Sequence, residues 1–156
     1  MSTPSVIKAT LNRSAQALLD GDFAMWSRSV MLPFTFVSRS GSKQYEAWDD
    51  LRSDFDTFVG LLAEHGVTEI RRNVISIDHV SPTHLIARFS TELLSGSDDI
   101  IAPYTSTATL QFRNGAWKAM AIMGAVGAQN WSEFAQNENG KIIPFHAREP
   151  KHQRLG

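Results

Sequence analysis

The sequence predicts an α+β fold, with N-terminal helices packed against a mostly antiparallel sheet. Three observations carry this. Before Val67, two long stretches repeat apolar side chains at steps of three and four, the period of a helix facing a core. After Val67, β-branched and aromatic residues alternate with period two, the pattern of strands. Asn114 and Gly115 lie between two alternating runs, where an Asn-Gly pair builds a two-residue type I′ hairpin. Helices and strands are therefore segregated along the chain, as in folds with an antiparallel sheet.

The first helix has Thr3 as its expected N-cap and Pro4 in its first turn, where a missing N–H costs nothing. Ile7, Leu11, Ala15 and Leu18 form its apolar stripe, Leu19 widens it, and Gly21 ends it. Asp22 caps a short second helix in "DFAMWSRSV", with Trp26 and Val30 four apart on one side. Pro33 stops that run. "FTFVSRSG" then alternates as a strand, "SRSGSK" turns, and "KQYEA" returns. In "AWDDLRSDFDTFVGLLAEHG", Trp48, Leu51, Phe55, Phe58 and Leu62 make the stripe of a long helix. Asp49 and Asp50 suit its positive end, and Gly66 stops it.

Four long strands follow as a meander. "VTEIRRNVISIDHV" leads through "SPT" to "HLIARFSTELL", whose Leu85, Ala87, Phe89, Thr91 and Leu93 share one face. After the loop "SGSDD", "PYTSTATLQF" can open at Pro103. Its inner face would carry Tyr104, Ser106, Ala108, Leu110 and Phe112, and its threonines would point outward. "AWKAMAIMGAVGA" returns beside it. Trp117, Ala119, Ala121 and Met123 fall on one face of this strand, Met120 and Ile122 on the other. A strand apolar on both sides must be covered on both. Residues 1–130 thus read as one domain. Residues 131–156 read as a tail, packed in part through Trp131, Phe134 and Phe145, with its last ten residues disordered.

Composition narrows the function classes. The chain has 156 residues, enough for one real core, with 15 basic and 16 acidic side chains. That balance leaves no electrostatic footprint for nucleic acid or an anionic membrane. The basic tail residues Lys141, Arg148, Lys151 and Arg154 read as a solvated terminus. There is no cysteine, which excludes disulfides, thiolate metal sites and a cysteine nucleophile. No segment reads as a signal peptide or membrane span, so a cytoplasmic location is expected.

Four stretches point to a family. These are "ALLDGDFAMW" at the helical elbow, "LPFTFVSRSG", "WDDLRSDF", and "FRNGAWKAMAIMG" closing the sheet. In this order they resemble the nuclear-transport-factor-2-like (NTF2-like) superfamily over roughly residues 5–128, and most of all its SnoaL-like subgroup. That subgroup includes polyketide cyclases and ketosteroid isomerases. The resemblance implies a cone: a curved, mostly antiparallel sheet wrapping the N-terminal helices around an apolar cavity. It also implies a homodimer through the sheet. Fold alone licenses no reaction.

The family's enzymes place a carboxylate, His or Tyr inside the cavity, where burial can raise a carboxyl pKa into a useful range. From Tyr104 to Trp131 this chain has no Asp, Glu or His, and its first helix has no Tyr. Tyr104 is the best polar donor and Glu92 the remaining base, though alternation puts Glu92 on the outer face with Arg88 and Ser90. Asp50 and Arg52 are explained by helix capping and surface pairing. Arg39 reads as a turn arginine that could meet an anion at the cavity mouth. His79 and His84 flank a turn without a carboxylate ligand, a weak metal pattern. His65 suits a helix C-terminus, and His146 and His152 lie in the tail. No phosphate loop, nucleophile elbow or zinc-helix motif is present.

Three readings stand. In the first, the chain binds a small hydrophobic molecule in the cavity. Its pocket would be lined by Trp26, Phe34, Phe36, Phe55, Phe58, Phe89 and Trp117, with Tyr104 and Ser106 as polar groups. In the second, it is an isomerase, cyclase or dehydratase for a hydrophobic cyclic substrate. In the third, it is a dimeric assembly module without a ligand. Nothing in the sequence requires a metal or an organic cofactor.

Overall fold

The structure, a computed structural model, describes residues 2–133, 135–136 and 142–143. Helix α1 (Thr3–Asp20) and the short α2 (Phe23–Ser27) precede strands β1 (Val30–Ser38) and β2 (Gly41–Tyr45). Helix α3 (Trp48–Glu64) follows. Then come β3 (Glu69–Ser81), β4 (His84–Ser95), the two-residue β5 (Asp98–Asp99), β6 (Tyr104–Arg113) and β7 (Ala116–Met123). A 3-10 turn (Ala128–Glu133) and two short strands, β8 (Ala135–Gln136) and β9 (Ile142–Ile143), complete the described chain.

The main sheet runs β2-β1-β7-β6-β4-β3, with β5 added to β4. All its pairs are antiparallel except β1 with β7, which is parallel. The expected segregation of helices and strands holds, and the expected α+β class with it. Trp131 packs on Phe58 and on His65, with ring centroids 5.9 and 5.0 Å apart. Phe134, Phe145 and the last ten residues lie outside the described residues.

Local chemistry explains the ends of the elements, with small corrections. Ser2, not Thr3, caps α1: its hydroxyl accepts from the Ser5 N–H. Gly21 sits at φ 68°, and Asp22 Oδ1 accepts from the Met25 N–H at 3.0 Å to start α2. This helix ends at Ser27, so Val30 belongs to β1 and not to the helical stripe. Pro33 lies inside β1 instead of before it. The β1–β7 register shifts between Val30 and Thr35, and that irregular stretch holds the residue that cannot donate to a ladder. Trp48, at the first position of α3, is 42% exposed and meets the edge of Phe23.

A bulge decides the facing of β7. Leu110 pairs with Ala119 but Thr109 pairs with Ala121, so Met120 is the extra residue. One inserted residue reverses every later side chain. Ile122 therefore joins Ala119 on the inner face, while Ala121 and Met123 turn outward, contrary to the regular alternation expected. Met123 is 55% exposed. Three apolar clusters make up the core. One joins α1, α3 and the β4–β6 end of the sheet through Leu18, Phe55, Phe58, Leu93 and Tyr104. Another gathers Ile7, Leu85, Phe89, Leu110 and Trp117. The last holds Val30, Phe34, Phe36, Tyr45 and Leu51. Each fully buried Phe or Leu among them contributes about 1.5–3 kcal/mol. No described helix is long and apolar enough to cross a membrane.

Candidate functional site

Where the three clusters meet, they leave a cavity of about 140 Å³. Its wall draws on all of them: Leu18, Phe55 and Phe58 from the helical side, Phe89 and Leu110 from the sheet, Phe34 and Phe36 from β1. The chain closes it after β7. Gly124, at φ 79°, turns the backbone so tightly that an added Cβ would lie 2.9 Å from the Thr105 carbonyl oxygen. Residues 125–129 then run along the cavity, fixed by Asn130, whose Oδ1 accepts from the Gly127 N–H at 2.8 Å. Asn130 Nδ2 donates to the Ala125 carbonyl at 2.6 Å.

Six residues expected in the pocket do line it: Trp26, Phe34, Phe36, Phe55, Phe58 and Phe89. Tyr104, Ser106 and Trp117 do not. Tyr104 and Ser106 face inward but are buried, because the segment after Gly124 folds over them. Tyr104 packs in one cluster with Val126. Trp117 stands too near the Asn-Gly hairpin, against Phe112 and His79 at 5.4 and 5.9 Å between ring centroids. Ala119, two residues on, reaches the cavity in its place. Glu92 lies on the outer face, 3.7 Å from Arg71, and is no part of the cavity.

The other candidates also fall outside. Arg39 is in the exposed β1–β2 turn. Arg52 pairs with Asp56 at 3.8 Å on the surface of α3. His65 Nδ1 bonds the Leu61 carbonyl, and His84 Nδ1 meets the Ser81 and Thr83 hydroxyls. Among the described residues no three His, Asp or Glu side chains are grouped to hold a metal.

Two polar groups on the wall were not anticipated. The first is built on α3. Asp54 Oδ2 accepts from Lys43 Nζ at 2.9 Å and from the Tyr45 hydroxyl, which in turn accepts from Gln129 Nε2. Tyr45 is only 1% exposed. Burial pushes its phenol pKa well up, and the hydrogen bond to Asp54 and the charges of Asp54 and Asp50 add to the rise. Tyr45 is thus a neutral donor, and among the described residues Asp54 is the one carboxylate on the cavity wall.

The second group surrounds Arg72 on the inner face of β3. Register sets Arg72 beside Thr91 on β4, and Thr91 beside Tyr104 on β6. Arg72 donates one N–H to Ser14 Oγ of α1 at 2.8 Å, and its Cζ lies 5.7 Å from the Phe89 ring centre. Its Nε is sealed from solvent and has no hydrogen-bond partner, as is the case for Ser106 Oγ nearby, while the Thr91 side chain meets the Tyr104 hydroxyl. Burial lowers the Arg72 pKa, and the Tyr104 phenol opposes that shift. Burial raises the Tyr104 pKa, partly offset by Arg72.

The sequence did carry signals for two of these. Arg72 falls between Ile70 and Val74 in period two, so it shares their inner face. Asp54 is three residues after Leu51 and four before Phe58, on the apolar stripe itself. Gln129 follows an irregular turn that no periodicity reports.

No protein-family model matches this chain, and no curated protein does. Solved structures match it closely in shape. An NTF-2 like protein of unknown function from Shewanella oneidensis MR-1 superposes with a TM-score of 0.62 at 14% identity, over 78% of this chain and 98% of that one. The chain has the NTF2-like fold. An NTF2-like protein of unknown function from Pseudomonas putida KT2440 covers 91% of this chain and 95% of its own at a TM-score of 0.58 and 14% identity. A ketosteroid isomerase-like protein from Erwinia carotovora atroseptica matches at 0.54 and 14%, over 77% and 92%. At such identities the likeness establishes the NTF2-like architecture and no activity.

Proposed function

We propose that this NTF2-like domain binds a small hydrophobic molecule in its interior cavity. The observation that carries the reading is a cavity of about 140 Å³ walled mostly by aromatic and aliphatic side chains. Apolar cavities of about 150 Å³ hold a benzene-sized guest. A single-ring or short-chain ligand fits this scale, and a fused polycyclic one does not. A thermal-shift assay with benzene, toluene and phenol tests it. At tenfold excess over Kd, binding adds about 1.4 kcal/mol, or about 3–6 °C in Tm for a chain of this size. Ala119→Leu, which fills part of the cavity, should abolish the shift. No shift from any of the three at millimolar concentration would refute the proposal.

A SnoaL-like catalytic reading has one observation in its favour, the Asp54 carboxylate on the cavity wall with Tyr45 as its donor. It does not use Glu92 or Tyr104. A homodimer through the outer sheet face is also proposed, supported by the exposure of Met123 beside the outward threonines of β6. Sedimentation at micromolar concentration should show a dimer, and a clean monomer would refute it.

A further inference from the structure

Arg72 is not explained by the stability of the fold. Among the described residues it has no carboxylate partner, and its one hydrogen bond is to the Ser14 hydroxyl. The acidic side chain on the cavity wall, Asp54, is committed to Lys43 and Tyr45. Arginine does not escape burial by losing its proton, as a lysine can. A hydrophobic residue of the same length would fill this position at no electrostatic cost. Yet Arg72 lines the cavity, resting on Phe89, with its Nε sealed and unpaired.

A guanidinium offers a planar fork of donors that matches a carboxylate. The rest of the wall is apolar and aromatic, with Phe55 and Phe58 on the helical side. We propose that the cavity takes a small monocarboxylic acid, its carboxylate on Arg72 and its single-ring or short-chain body among the aromatic side chains. This rests on the reading that the cavity binds a small molecule, and it names the chemical class. The anion supplies the missing counter-charge, and Ser14 holds the guanidinium in place for it. The cavity volume of about 140 Å³ limits the body to about the size of a benzene ring.

Isothermal titration calorimetry with benzoate, benzyl alcohol and inorganic phosphate separates the possibilities. Benzoate and benzyl alcohol share one body and differ in charge. The wild type should bind benzoate at least about tenfold more tightly than benzyl alcohol, the least expected of a charge-assisted pair. Phosphate, with no body, should bind far more weakly than benzoate. Arg72→Met should lose the preference for benzoate and still bind benzyl alcohol. In the wild type, the side-chain 15Nε–Hε signal of Arg72 should shift on adding benzoate and stay put on adding benzyl alcohol, a readout that needs no variant. Equal binding of benzoate and benzyl alcohol overturns the carboxylate assignment and leaves the binding reading intact. Phosphate binding as tightly as benzoate overturns the role of the apolar body. Binding of none of the three overturns both readings.

Discussion

The chain contains two tyrosines, Tyr45 and Tyr104, at 1% and 5% exposure. Burial raises the pKa of both phenols. In the unfolded chain both ionise near pH ~10. Below that pH each is protonated in both states, so neither makes stability depend on pH. Above it, the unfolded chain releases protons that the folded one keeps, and stability falls as pH rises. The slope is at most about 1.4 kcal/mol per pH unit for each phenol, or about 2.7 for the two together. A domain stable by about 5 kcal/mol would then unfold about two units above pH 10, near pH 12. Absorbance of tyrosinate at 295 nm, followed with near-ultraviolet circular dichroism, checks this. The two signals should change together in one cooperative step well above pH 10. Tyr45→Phe and Tyr104→Phe should each remove about half of the absorbance change. A tyrosinate band with a midpoint near pH ~10 and intact circular dichroism would refute the burial argument for at least one phenol.

The remaining predictions address packing and polar satisfaction. Phe55→Ala should cost less than the 3–5 kcal/mol or so typical of a tightly packed phenylalanine, because one side of Phe55 already faces the cavity. Urea denaturation measures the loss, and affinity for a cavity ligand should fall with it. Tyr45→Phe should cost about 1–3 kcal/mol in the same assay, since it strips Gln129 Nε2 of its acceptor and Asp54 of one donor. Gly124→Ala should lower stability by about 1–3 kcal/mol, since its φ of 79° and a Cβ 2.9 Å from the Thr105 carbonyl oxygen allow no side chain without a shift. A thermal melt of that variant that matches the wild type would show that the turn relaxes freely.

The parts of the fold that repeat were legible. Helical steps of three and four gave α1 and α3, and alternation gave β4 and β6, because each states one physical fact about which face is buried, while β-branched richness gave β3. What broke the period was not legible. The Met120 bulge moved Ile122 inward and Met123 outward, and no composition signal marks a bulge within an apolar run. The Pro33 irregularity hid the first half of β1 for the same reason. The site suffered most where residues came together from distant parts of the chain. Tyr104 and Ser106 read as the pocket's polar groups on the strength of their own strand. The covering segment around Val126 lies some 20 residues later, after a glycine turn. Apolar lining was easier to see than polar lining. Six aromatic side chains followed from element faces alone, whereas Arg72 and Asp54 share those faces as charged residues that an apolar stripe does not mark.

The charged side chains bear on how the cavity works. An apolar wall alone would be stable and would accept any guest of the right size. This one carries a guanidinium whose Nε is sealed and has no partner. Each unpaired buried group costs about 1–3 kcal/mol. A fold that left this cost uncompensated would be more stable with an apolar residue there. Arg72→Met should therefore leave the unliganded domain as stable as the wild type, within about 1 kcal/mol, or more so. The lost Ser14 bond and Phe89 contact are offset by removal of a cation whose Nε is buried without a partner. Denaturation of the unliganded pair measures it. A loss of 3 kcal/mol or so would mean that Arg72 holds α1 to β3 as a structural brace. Parity would mean that the cation waits for a charge from outside the chain.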